Sequence, residues 1–100
     1  MSKDNINPDH YKKECSFECI EVMSLMFGEY AVKQFCLFNA FKYMWRHRNK
    51  NGYEDLQKAK WYLDYVAKTL KSEDENYLLH RRLVSILETL TAKHFNDKET

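Results

Sequence analysis

Between residues 39 and 64 the chain reads NAFKYMWRHRNKNGYEDLQKAKWYLD. Lys42, Arg46, Arg48, Lys50, Lys58 and Lys60 crowd there around one glycine, Gly52. Tyr43, Trp45, Tyr53, Trp61 and Tyr62 are set among them. Guanidinium and ammonium groups are the side chains that neutralise phosphate. Flat rings give a base a surface to stack on. This stretch is equipped to hold a phosphorylated, ring-bearing ligand.

Spacing sorts these residues onto two faces. Asn39, Lys42, Tyr43 and Arg46 recur at i, i+3, i+4 and i+7, so on a helix they share a face. Asp55, Lys58 and Tyr62 do the same on a second helix. A short loop at Gly52 would fold the two helices into an antiparallel hairpin. Arg46, Lys50 and Lys58 then come within reach of one phosphate, and Asp55 is placed to orient a cation or meet a ribose hydroxyl. The plain alternative is that both faces are solvated surface, as charged helical residues usually are. The N-terminal arm brings Asn7, His10 and Tyr11, with Pro8 limiting its freedom. It is either a lid over the hairpin or an unstructured end. Glu18 with Asp55 is the one Mg²⁺ option, although the helix dipole alone explains carboxylates near a helix start. No metal site is expected: Cys15 and Cys19 lack a His pair at zinc-ligand spacing.

Helices must carry these faces. Two glycines and one proline leave few turns, and no segment alternates with period two. The pattern is all-α. One helix is expected over about 16–27, capped by Ser16, striped by Ile20, Met23 and Phe27 and stopped by Gly28. A second over 29–48 shows a broad apolar surface of Val32, Phe35, Phe38 and Phe41. A third over 53–70 carries Leu56, Ala59, Leu63, Val66 and Leu70 at helical spacing. Ser72 to Glu75 reads as a capping box opening a fourth, to about residue 95. Its Leu79, Leu83, Ile86, Leu87 and Leu90 suit packing within the subunit or against a second copy. The expectation is a single small four-helix domain around a basic hairpin, forming a homo-oligomer. Its parts are an arm over 1–13, a helical core over 14–71 and a C-terminal helix over 72–100.

Composition narrows the function classes. One hundred residues make one domain with a modest core. The net charge is only +1, but residues 39–71 hold eight Lys/Arg against three Asp/Glu, while the flanking segments are each acidic on balance. A local anion site fits this better than coating of long nucleic acid, which wants a basic domain overall. Three cysteines without CxxC spacing, a polar N-terminus and no membrane-length apolar run suggest a cytoplasmic protein. There is no GxxxxGK[ST] loop, no GxGxxG and no recognisable nucleophile pattern. A phosphate-transferring enzyme would need an unconventional site.

INPDHYK at 6–12, FECIEV at 17–22 and FNAFKYMWRHRNKNGYEDLQKAKWYLD at 38–64 resemble the small bacteriophage family DUF3310. Its pattern is roughly NPxHY, then EcID, then GNaiKYlwRaxxKxgxxDLxKAxxYL. Phe38 replaces a usual Gly and Glu21 a usual Asp. The resemblance implies a phage protein of the host bacterial cytoplasm. Its recurring polar positions fall here on Asn7, His10, Tyr11, Glu18, Asn39, Lys42, Tyr43, Arg46, Lys50, Asp55, Lys58 and Tyr62. Some members pass as deoxynucleotide kinases, which would bring Mg²⁺ as a cofactor. The expected function is a non-catalytic nucleotide binder that sequesters a phosphorylated, linear or cyclic nucleotide such as a bacterial defence signal. The alternatives are a nucleoside monophosphate kinase and a helical adaptor binding a host protein.

Overall fold

A computed structural model describes residues 19–99, and every regular element among them is a helix. The all-α expectation holds. The helices are α1 (described over 19–27), α2 (Glu29–Arg46), α3 (Tyr53–Ala67) and α4 (Tyr77–Glu99). They fall into two compact units, Met1–Val32 and Lys33–Thr100.

In the first unit, α1 stops at Gly28. The Gly28 N–H donates to the Ser24 carbonyl at 2.9 Å. Its φ of 91° is left-handed, a conformation that costs any residue with a Cβ. Ile20 and Val32 are buried, but Phe27, expected on the buried stripe, is exposed together with Leu25 and Met26. The expected cap Ser16 lies outside the described residues.

The second unit holds the rest of α2 with α3 and α4. Its core draws Cys36, Leu37, Ala40 and Met44 from α2, Leu56, Ala59, Leu63 and Val66 from α3, and Leu83 and Leu87 from α4. The spacing of the α3 set, i, i+3, i+7, i+10, is one helical stripe, so α3 folds by burying that face. Burial pushes the Cys36 thiol up to about 12, so it packs as a small apolar residue. Phe38 and Phe41 are exposed. On α2, Phe38 lies across from Ala40, and Phe41 lies at the flank of the face that Ala40 and Met44 give to the core.

Contacts along the helices set their directions. Arg46, at the end of α2, meets Asp55 in the first turn of α3. Phe35, three turns earlier on α2, lies edge-on to Tyr62, further along α3, at 6.1 Å. The two helices therefore run antiparallel. The turn between them closes through Gly52, whose N–H reaches the His47 carbonyl at 2.8 Å and whose φ is 59°. α3 and α4 pack antiparallel as well. His80 near the start of α4 donates from Nε2 to the Leu63 carbonyl at 2.9 Å, while Tyr53 at the start of α3 stacks on His94 at 5.6 Å.

The ends of three helices differ from expectation. α2 stops at Arg46 and α3 at Ala67, each followed by a turn whose N–H groups reach back three to five residues. α4 starts at Tyr77, five residues after the expected cap Ser72. Ser72 to Asn76 form a turn instead. Lys33 Nζ holds Asp74 at 2.8 Å, and Gln34 Nε2 donates to Asn76 Oδ1 at 2.6 Å. Asp74 also accepts the Asn76 N–H at 2.9 Å. The bonds from Lys33 and Gln34 tie this turn to α2, where a box would supply reciprocal side-chain caps instead.

Leu63 is central to the α3 stripe and fully buried. Leu63→Ala is expected to lower unfolding free energy by about 3 kcal/mol. The check is urea denaturation, where the midpoint should fall with an unchanged slope.

Candidate functional site

The site grows from one buried carboxylate. Asp55 lies four residues before Ala59 and eight before Leu63, on the side of α3 that enters the core. Its exposure is 0 %. An unpaired charge there would be costly. Arg46 supplies the counter-charge, with Nε at 3.3 Å from Oδ2, and the Asn51 N–H donates to the same oxygen at 3.3 Å. Burial works to raise the Asp55 pKa. The Arg46 bond, the Asn51 bonds and the Arg46 charge outweigh it and hold the carboxyl below its ordinary value.

Held in this way, Arg46 lies over the ring of Tyr43, its Cζ 4.8 Å from the ring centre. Lys42 Nζ is 4.9 Å and Lys58 Nζ 5.3 Å from the same centre. Three cations thus gather at one ring, held by the attraction of its face for positive charge. Tyr62 stacks on Tyr43 with centres 6.0 Å apart and planes 11° apart. Among the described residues, neither Lys42 nor Lys58 has a carboxylate within ion-pair distance.

The other expected site residues are placed as follows. Asn39 donates to the Phe35 carbonyl of its own helix at 2.9 Å. Lys50 stands exposed on the turn after α2, and among the described residues no contact ties its side chain to the cluster. Asp55 orients a cation and is closed to a ribose hydroxyl, since it has no exposed surface. Asn7, His10, Tyr11 and Glu18 lie outside the described residues. Among the described residues no three His, Cys, Asp or Glu gather to hold a metal, and no helix is long and apolar enough to cross a membrane.

Sequence reading named Trp61 but not Tyr65 or Lys68, which extend the cluster. Trp61 stacks on Tyr65 at 5.6 Å and meets Tyr62 edge-on at 5.2 Å, while Lys68 Nζ lies 5.5 Å over Tyr65. Their signal was available: positions 58, 61, 62, 65 and 68 share one face of α3. That face continues the ring cluster away from Tyr43.

The arrangement defines an all-α protein with a cluster of cations and rings at the closed end of a helical hairpin, beside the turn at Gly52. The family model described as a protein of unknown function, DUF3310, matches residues 6–64, and the chain belongs to that family. No curated protein and no solved structure matches the chain.

Asp55→Asn keeps the shape and removes the charge that Arg46 balances. It is expected to cost about 2–3 kcal/mol at neutral pH, less than a fully buried pair because Arg46 is a third exposed. The folded pKa is depressed, so the charge stabilises above the unfolded value near 4 and ceases to do so as pH falls through the lower folded value. Unfolding measured from pH 3 to pH 7 checks this. The gap between wild type and Asp55→Asn should be flat above about pH 5 and shrink below about pH 4.

Proposed function

We propose that this protein binds a nucleotide through its phosphate, at Lys42, Arg46 and Lys58 around Tyr43, and holds it without changing it. The observation that carries the reading is a pair of ammonium groups with no carboxylate partner among the described residues, gathered with a pinned guanidinium at one ring. Like charges gathered at one ring repel one another, and a phosphate relieves that repulsion while accepting their hydrogen bonds. Arg46 is already ordered by Asp55, so less side-chain freedom is lost on binding. The setting in this proposal is the cytoplasm of a phage-infected bacterium, where a small binder sequesters a signalling nucleotide. Phe38, Phe41 and Trp45, exposed along α2, supply apolar surface for association with a second copy.

Titration calorimetry against linear and cyclic nucleotides, with mass analysis of the recovered ligand, tests the proposal. Binding with intact ligand is expected. Ligand recovered phosphorylated in the presence of Mg²⁺ and ATP would make the protein a kinase. No binding would remove the proposal.

Lys42→Ala should weaken binding at least about tenfold, one charge-assisted contact, with thermal stability unchanged. Arg46→Ala should weaken binding and also destabilise the fold, because it strands the buried Asp55 charge.

A further inference from the structure

Two apolar surfaces of this chain face solvent, and they carry opposite charge. The first belongs to α1 and the turn after it. Val22, Leu25 and Met26 recur at i, i+3 and i+4, turned away from the buried Ile20, and all three are exposed, Leu25 by 88 %. Phe27 and Tyr30, on either side of Gly28, are exposed as well. Residues 19–32 hold Glu21 and Glu29 and no Lys or Arg, and both glutamates are exposed. The second surface is the stripe of Phe38, Phe41 and Trp45 at i, i+3 and i+7 of α2, with Trp45 exposed by 76 %. The Phe41 and Trp45 rings lie 5.9 Å apart. Residues 33–52 hold five Lys or Arg and no Asp or Glu. Lys42, Arg48 and Lys50 among them are exposed. Apolar patches rimmed by polar groups mark sites of association.

We propose that the α1 surface of one copy seats on the α2 stripe of the next, so that copies associate head to tail. Charge selects this pairing. Two α2 stripes set face to face would bring Lys42, Arg48 and Lys50 against their own counterparts. Two α1 surfaces would do the same with Glu21 and Glu29. Like charges juxtaposed across an interface cost free energy, while opposite charges steer the encounter and fix its register. Of the three pairings, the cross pairing alone joins apolar to apolar and negative to positive. Such a contact is heterologous: each copy uses one surface and keeps the other for a further copy, so the assembly grows until its rotation closes a ring. The inference rests on the association read above for the α2 stripe and supplies the surface that covers it. It does not depend on nucleotide binding. The two meet at Lys42, which follows Phe38 by four residues and lies over the Tyr43 ring. Assembly therefore brings α1 of the neighbouring copy to the edge of the candidate site.

The test uses the full chain and two double variants, sized by sedimentation equilibrium. Leu25→Lys with Met26→Lys spoils the α1 surface and leaves the stripe intact. Phe41→Glu with Trp45→Glu spoils the stripe and leaves α1 intact. All four side chains are exposed, so circular dichroism and thermal midpoint should match wild type. Where a charged pair lowers that midpoint, the corresponding pair of serines takes its place. Wild type should be larger than a monomer. Each variant alone should be a monomer, and an equimolar mixture should give a one-to-one dimer and nothing larger, because the mixture holds one good pair of surfaces. Adding Arg48→Glu and Lys50→Glu to the variant with the intact stripe should weaken that dimer at least about tenfold, the worth of one charge-assisted contact. A variant spoiled at α1 that still assembles by itself would show stripe meeting stripe and overturn the inference, leaving association through α2 in place. A mixture that stays monomeric, or a dimer indifferent to Arg48 and Lys50, would overturn it too. A monomeric wild type would overturn the association reading, and the inference with it.

Discussion

A carboxylate on the buried side of α3 needs a counter-charge, and Arg46 at the end of α2 is where it finds one. The constraint acts in both directions. Asp55 can be buried only if α2 ends close enough for Arg46 to reach it. Arg46 is fixed over Tyr43 only because Asp55 holds it. The turn at Gly52 makes the approach short, and its left-handed backbone suits a residue without a Cβ. The same ion pair therefore joins the two helices and sets the geometry of the candidate site.

The rest of the second unit supports that junction. Leu56, Ala59, Leu63 and Val66 anchor α3 by burying its apolar face. α4 presses on α3 and is tied to it at both ends, by His80 to the Leu63 carbonyl and by Tyr53 to His94. Lys33 and Gln34 hold the turn before α4 through Asp74 and Asn76. Each contact limits sliding of the helices. A shift of one residue along α3 would carry Asp55 away from Arg46 and Lys58 away from Tyr43 together. The site is thus built on packed helices, where the cost of repositioning falls on the core.

Much of this is legible in the sequence, for local reasons. Gly28 and Gly52 mark two turns because both take positive φ. The α3 stripe announces itself by spacing. Asp55 could be recognised as buried from its position four residues before Ala59, yet a carboxylate on an apolar stripe reads just as well as a solvated first-turn acid. What spacing does not carry is the long-range part. Asp74 and Asn76 pair with residues some forty positions earlier, so Ser72 to Glu75 resembles a helix start and is a turn. Phe38 and Phe41 look like core because they are large and apolar. The face of α2 that Ala40 and Met44 occupy packs more closely, and an apolar residue is not thereby an inner one. Family membership over residues 6–64 names the chain's relatives, and the reading of the site comes from its charges and rings.

The central claim is that the cations around Tyr43 receive one phosphate. The direct measurement is a nuclear magnetic resonance titration with a nucleoside 5′-monophosphate, following the Tyr43 ring and the Lys42, Arg46 and Lys58 side chains. These resonances should move along one saturation curve with a shared midpoint, while those of Lys33, paired with Asp74 elsewhere in the unit, stay still. A saturated ligand that leaves Tyr43 and the three cations unmoved would contradict the account.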